Sequence, residues 1–289
     1  MKYPLFTGVC TALVTPFFEN NINYPLLEQL LRYQISTGIN AIVLAGTTGE
    51  AATLSDSEKI ELFKRGKNYV GNACKIIAGT GSNVTSHAIS LSKQAEDAGV
   101  DALLIVSPYY NKANPQGLIA HYTAIARSVR IPIIIYNVPS RTGIDIPISV
   151  YQELSALPNI IGVKEAGGNI AKIAKIRSAC PEDFYIWSGN DDQIVPVMSL
   201  GGKGVISVLS NICPEETLAL TYAALAGDFD TAADLQCKLL PLVELLFCDV
   251  NPIPVKYAMR HIGFDCGNCR LPLAPLSDAQ KSSLDMYFS

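Results

Sequence analysis

The sequence carries no excess of positive charge: 22 Lys and Arg stand against 26 Asp and Glu, a formal net charge of -4. Binding to nucleic acid or to an anionic membrane needs clustered cations that displace counterions, so neither is expected as a partner. No apolar run approaches the ~18 to 20 residues that span a bilayer, although 49% of the residues are hydrophobic. The opening segment, Met1 to Gly8, has one cation and lacks the continuous apolar stretch of a secretory signal, which points to a cytoplasmic protein. A charge block, a low-complexity linker and an internal repeat are all missing. So is a cysteine framework. Cys10, Cys74, Cys180, Cys213, Cys237, Cys248, Cys266 and Cys269 are scattered over a chain too long to need disulfide staples, and reduced thiols are expected.

What the 289 residues do contain is a regular alternation. Short apolar runs predict strands at Val9 to Val14, Ala41 to Ala45, Lys75 to Gly79, Ala102 to Val106, Ile131 to Tyr136, Ile160 to Lys164, Phe184 to Ser188 and Gly204 to Val208. Amphipathic stretches such as Leu26, Leu27, Leu30 and Leu31 lie between them with helical spacing. Parallel neighbours cannot be joined by a tight turn, so strict alternation implies a parallel sheet with crossover helices. Runs such as Ile131 to Ile135 show no period of two, as expected of strands buried on both faces. Eight strands suffice to close a (β/α)8 TIM barrel. An open doubly wound sheet would place a Gly-rich turn after the first strand, and none follows Val14. Near Asp228 the pattern becomes helical only, with Leu235, Leu239, Leu242 and Leu246 on one face, a further helix at Pro252 to His261, and a third begun by Ser277. The expected organisation is a catalytic barrel over residues 1–227 and a small C-terminal helical appendage over 228–289.

The active site of such a barrel lies at the C-terminal ends of its strands. Thr47 and Thr48 follow the second predicted strand, Tyr109 and Tyr110 the fourth. Tyr136 closes the fifth with Arg141 just beyond, Lys164 closes the sixth, Gly189 and Asn190 follow the seventh, and Ile206 lies in the eighth. Lys164 ends an apolar run and would point into the barrel mouth, where desolvation disfavours an ammonium and favours a neutral amine able to attack a ketone. Position alone leaves open a structural lysine paired with Glu165, or an anion binder. Tyr136 ends the preceding unit, so its phenol would share the mouth with that amine and could shuttle protons, extended by Tyr110 and Thr47. Taken singly, each of these side chains could equally be lining or a turn residue.

Five ordered segments, Gly46-Thr47-Thr48-Gly49-Glu50, Ser107-Pro108-Tyr109-Tyr110-Asn111, Tyr136-Asn137-Val138-Pro139-Ser140-Arg141-Thr142-Gly143, Gly162-Val163-Lys164-Glu165 and Asn251-Pro252-Ile253-Pro254-Val255-Lys256, resemble the dihydrodipicolinate synthase and N-acetylneuraminate lyase superfamily over essentially the whole chain. The resemblance implies that Lys164 bonds covalently to C2 of pyruvate, that Tyr136 donates and accepts protons, and that Thr47 and Tyr110 complete a relay. Thr48 and Ile206 would hold pyruvate, with Gly189 in the same substrate-binding set. The tyrosine matching Tyr110 crosses a dimer interface in that family, which makes oligomerisation a condition of activity, and the resemblance implies a homotetramer built as a dimer of dimers. Arg141 can grip a carboxylate in bidentate fashion, and the resemblance assigns it the carboxylate of L-aspartate 4-semialdehyde. The implied reaction is condensation of that aldehyde with pyruvate to 4-hydroxy-tetrahydrodipicolinate, on the route to lysine and diaminopimelate. It needs no organic cofactor and no metal, since the protonated Schiff base is the electron sink. The alternative within the same barrel is N-acetylneuraminate lyase or another 2-oxo-acid aldolase; sialic-acid lyases carry a different segment after the active-site tyrosine. Many relatives bind lysine as a feedback inhibitor at positions matching Ala51, Asp56, Lys59, Asn83, His87 and Tyr109. This chain departs from the sensitive pattern at Ala51, Asp56, Lys59 and His87, which implies weak or absent inhibition.

Other signals point elsewhere. Cys266-Gly267-Asn268-Cys269 is a lone CxxC with His261 as the one nearby imidazole, and reads as a loop rather than a zinc or redox centre. Gly201-Gly202-Lys203-Gly204 precedes a strand rather than a helix, so it reads as a turn and not a phosphate cradle. His87 and His121 lie in helical stretches without a paired nucleophile, and surface or capping roles are expected for both. A catalytically silent ligand-binding barrel would have lost one of Lys164, Tyr136 or Arg141, and all three are present.

Overall fold

The computed structural model describes residues 2–289. Eight parallel strands close into one barrel: β1 Gly8–Ala12, β2 Ala41–Leu44, β3 Lys75–Gly79, β4 Ala102–Val106, β5 Ile133–Asn137, β6 Ile160–Glu165, β7 Tyr185–Ser188 and β8 Gly204–Ser207. Each pairs with its neighbours in the chain, and β1 closes the ring on β8 with Gly8 opposite Gly204. A Cβ at Gly204 would stand 1.8 Å from Gly8 O, and its φ is +138°, so only glycine fits the closure. The predicted strands agree to within two residues. The fifth starts late because Pro132 has no N–H to give the ladder. The first ends early because the Val14 amide leaves it for Asn211 Oδ1 at 3.1 Å.

The crossover helices are α1 Tyr24–Ser36, α2 Asp56–Val70, α3 Thr85–Asp97, α4 Pro115–Ala126, α5 Ile148–Ser155, α6 Ile170–Ala179, α7 Ile194–Ser199 and α8 Pro214–Leu225. Pro139–Thr142 forms one extra helical turn after β5, and Phe17–Phe18 pairs with Asn21–Ile22 in a small hairpin. Strand residues alternate between two cores. Ile133 and Ile135 meet the helices, while Ile134 and Tyr136 face the barrel interior with Cys10, Val43 and Ile206. Phe6 stacks on Trp187 within this inner core, ring centroids 5.1 Å apart, and the indole donates to Phe6 O at 3.3 Å. The N-terminal segment thereby packs into the barrel.

The helices after the eighth unit are α9 Phe229–Leu246, α10 Ile253–Ala258 with a further turn at Met259–Ile262, and α11 Asp278–Phe288. Asp228 caps α9 through Thr231 N, and Ser277 opens α11 with a capping box closed by Gln280. The region is anchored to the barrel by a buried ion pair, Lys256 Nζ to Glu50 Oε1 at 2.9 Å, and Glu50 Oε2 accepts from Arg270 N at 2.9 Å. Arg270 also forks onto Glu58 of α2, and its guanidinium pulls the Glu58 carboxyl down to about 2. Gly201 to Gly204 connects α7 to β8, and Cys266 to Cys269 lies in a loop, as expected of both segments.

His121 departs from expectation: it is buried at 4% exposure instead of lying at the surface. Leu118, His121, Tyr122 and Ile125 form one inward stripe of α4, so the imidazole is pressed toward α3. One ring nitrogen meets Thr85 Oγ1 at 2.9 Å, the other has no partner among the described residues, and burial lowers the imidazole pKa to about 4.

Candidate active site

The residues singled out in the sequence gather at the C-terminal ends of the strands. Tyr136 and Lys164 are register partners on β5 and β6, so their side chains enter the barrel at one level. Lys164 is buried, and its Nζ sits 4.4 Å from the centroid of the Tyr136 ring. Among the described residues it has no ion-pair or hydrogen-bond partner. Glu165 points to the opposite face of β6, as strand alternation requires. There its carboxylate accepts from Asn137 Nδ2 at 2.8 Å, Gly167 N at 2.8 Å and Tyr151 OH at 3.2 Å, with Lys172 Nζ at 3.7 Å. The structural alternative for Lys164, a pair with Glu165, is not formed. Burial raises the Glu165 pKa, and Lys172 opposes it.

Gly189 leaves room for the lysine. Gly189 follows β7, and a Cβ there would meet Ala166 Cβ at 2.6 Å and Lys164 Cε at 3.1 Å. Ile206 is fully buried in β8. Beyond Gly189, the Asp191 carboxylate accepts from Val208 N and Leu209 N at 2.9 Å each. Burial raises its pKa, and the Lys164 charge acts to lower it.

Thr47 and Thr48 follow β2 on the loop that Glu50 ties to Lys256. Thr48 is buried, and its hydroxyl accepts from Asn251 Nδ2 at 3.0 Å, which leaves the hydroxyl proton free to donate elsewhere. Arg141 stands on the helical turn after β5 and donates from Nη2 to Asn251 O at 3.1 Å. A cavity of about 560 Å³ is lined by Thr47, Tyr136, Arg141 and Asn251, and it continues past Ala51, Asp56, Lys59, His87 and Tyr109. Thr48, Lys164, Gly189 and Ile206 are not among its lining residues. Asn83 lies beside it, its carbonyl accepting from Asn111 Nδ2 at 2.9 Å.

Tyr110 is 91% exposed with a left-handed backbone, φ +72°, and turns away from its own barrel. No hydrogen bond joins Tyr136, Thr47 and Tyr110 among the described residues, so the expected relay is not assembled within one chain. At the outer end of the cavity, Asp56 is engaged twice. His87 Nε2 lies 2.7 Å from Oδ2, and Lys59 Nζ lies 3.8 Å from Oδ1. Burial lowers the Lys59 pKa against the pull of Asp56. Sequence reasoning placed Glu50, Asn251 and Lys256 inside motifs without giving them roles, and these three join the C-terminal region to the site. Their signal was the coexistence of a carboxylate in one motif and a lysine in another, with nothing in the sequence to show that they meet.

The described residues include no helix long and apolar enough to cross a membrane. The family model for the dihydrodipicolinate synthetase family matches residues 5–288. The chain is 48% identical to 4-hydroxy-tetrahydrodipicolinate synthase of a Thermoanaerobacter species, over 98% of this chain and 97% of that one. It is 46% identical to the protein of the same name from Acetivibrio thermocellus, over 96% and 94%. The solved dihydrodipicolinate synthase from Aquifex aeolicus superposes with a TM-score of 0.96 at 39% identity, covering 98% of this chain and 97% of that one.

Proposed function

The chain belongs to the dihydrodipicolinate synthetase family, and we propose that it condenses pyruvate with L-aspartate 4-semialdehyde through a Schiff base on Lys164, giving 4-hydroxy-tetrahydrodipicolinate for lysine and diaminopimelate biosynthesis. The observation that carries the mechanism is the pairing of a buried, unpartnered Lys164 with the Tyr136 ring at 4.4 Å. An amine with no acceptor beside it is free to attack C2 of pyruvate, and loss of water leaves a protonated imine. Tyr136 delivers the proton to the departing oxygen and takes one from the pyruvate methyl carbon, giving an enamine. The enamine carbon adds to the aldehyde, whose oxygen collects a proton. The amino group of the second substrate then attacks the imine carbon and displaces Lys164, which closes the ring and regenerates the amine. The protonated imine is the electron sink throughout, so no organic cofactor or metal takes part.

Thr48, fixed as a donor by Asn251, faces the pyruvate carboxylate. Arg141 receives the carboxylate of the aldehyde, and Gly189 and Ile206 shape the pyruvate side. Thr47 and Tyr110 complete the proton path, with Tyr110 supplied by a second copy of the chain. Its 91% exposure, next to exposed Tyr109 and to Val84 on a loop tied to its own by Asn111, supports that role. A homotetramer arranged as a dimer of dimers in the cytoplasm completes the proposal. Borohydride reduction in the presence of pyruvate is expected to leave one adduct on Lys164. Mass spectrometry that finds the label elsewhere, or none, overturns the mechanism.

A further inference from the structure

Asn251 is 6% exposed and lines the cavity, yet only part of its hydrogen-bonding capacity is used. Its Nδ2 donates to Thr48 Oγ1 at 3.0 Å, and its main-chain oxygen accepts from Arg141 Nη2 at 3.1 Å. Among the described residues its Oδ1 is buried without a partner. A buried acceptor left bare is destabilising, so such an atom beside a binding cavity calls for a donor from the ligand. Pyruvate cannot provide one, since its carboxylate and ketone only accept. An α-amino acid can. Its carboxylate and ammonium hang from the same carbon, so a carboxylate held by Arg141 puts the ammonium within reach of the residue that Arg141 itself touches.

We infer that Asn251 is a specificity-determining residue, whose Oδ1 accepts a hydrogen bond from the α-ammonium of the aldehyde substrate while its Nδ2 sets Thr48 as a donor toward pyruvate. One side chain thereby links the two substrate subsites. The inference rests on the condensation proposed above and adds the group that distinguishes an amino-acid aldehyde from the same aldehyde without nitrogen. No bond is made or broken at Asn251.

The test compares L-aspartate 4-semialdehyde with 4-oxobutanoate, the same chain lacking the ammonium, used as a competitive ligand. In Asn251→Ala the KM for the amino aldehyde is expected to rise about ten- to a hundredfold, the usual effect of losing a charge-assisted hydrogen bond. The inhibition constant of 4-oxobutanoate should move by less than about threefold, because it never used the acceptor. Equal losses for both compounds would make Asn251 a structural residue and overturn the inference. Borohydride trapping of pyruvate on Lys164 in the unmodified protein reports separately on the Schiff base, and urea unfolding of the variant reports on its fold, so a failure of the condensation itself is distinguishable. Should the alanine variant not fold, Asn251→Asp keeps an acceptor oxygen and adds a negative charge. It is expected to preserve binding of the amino aldehyde and to weaken 4-oxobutanoate at least about tenfold, and an unchanged preference would refute the assignment.

Discussion

Arg141 is exposed, yet its Nη2 rests on Asn251 O at 3.1 Å, which aims the guanidinium at the cavity that Tyr136 also lines. The two substrates therefore place different demands on it. Arg141→Ala is expected to keep the borohydride-trapped pyruvate adduct and to lose most turnover, on the order of a hundredfold in kcat/KM for the aldehyde, from the missing charged pair. Single-turnover labelling beside steady-state rates would check this, and parallel loss of both activities would count against it. His121 gives a second residue-scale outcome. Its folded pKa of about 4 lies below the ordinary histidine value, so its contribution to stability is complete above about pH 6.5. As pH falls through the window from 6.5 to 4, the unfolded chain takes up a proton that the folded chain refuses. Stability should drop by at most about 3 kcal/mol over that window. Urea unfolding of wild type and His121→Asn across pH 4 to 7 reads the difference, and equal slopes would refute it.

Among the elements, the loop after β2 is the one most dependent on distant chain. Glu50 takes Lys256 of α10 on one oxygen and the Arg270 amide on the other. The Glu50 side chain is 0% exposed and that of Lys256 2%. Removing one member of a buried pair strands the other charge, a loss of about 3 to 5 kcal/mol. Glu50→Ala should therefore destabilise the protein by that order in urea unfolding, and should loosen Thr47 and Thr48 on the same loop. A change below about 1 kcal/mol would mean that water reaches Lys256 and replaces the carboxylate.

At the scale of the whole molecule, the chain closes its barrel but leaves Tyr110 outside the site to which it is assigned. On the proposed function a second copy supplies it, and light scattering at working concentration is expected to show an oligomer. A fully active monomer would remove Tyr110 from the proton path. The cavity also reaches the cluster of Asp56, Lys59 and His87, so five of the six positions compared with the lysine-binding site, all but Asn83, open onto the space that Arg141 faces. In that cluster Asp56 is already engaged by His87 and Lys59, which leaves it less available to a ligand cation.

The sequence by itself determined the eight strands, because burial on both faces leaves uniform apolar runs such as Ile133 to Ile135 that need no partner to be recognised. It also determined that Lys164 and Tyr136 belong to one site, since each closes a strand and consecutive strands of such a barrel are neighbours. The capped start of α11 at Ser277 was legible because a cap is a local hydrogen bond, while the cap that Asp228 gives α9 was not read from the sequence. Only the tertiary structure decided that Asn251 meets both Thr48 and Arg141, and that Glu50 meets Lys256. Those partners stand 203, 110 and 206 residues apart in the chain. It decided as well that His121 is buried, although the spacing of Leu118, Tyr122 and Ile125 already marked that face of α4. Periodicity tells which side of an element turns inward. What it meets there depends on how closure of the barrel folds the remote chain over the strand ends.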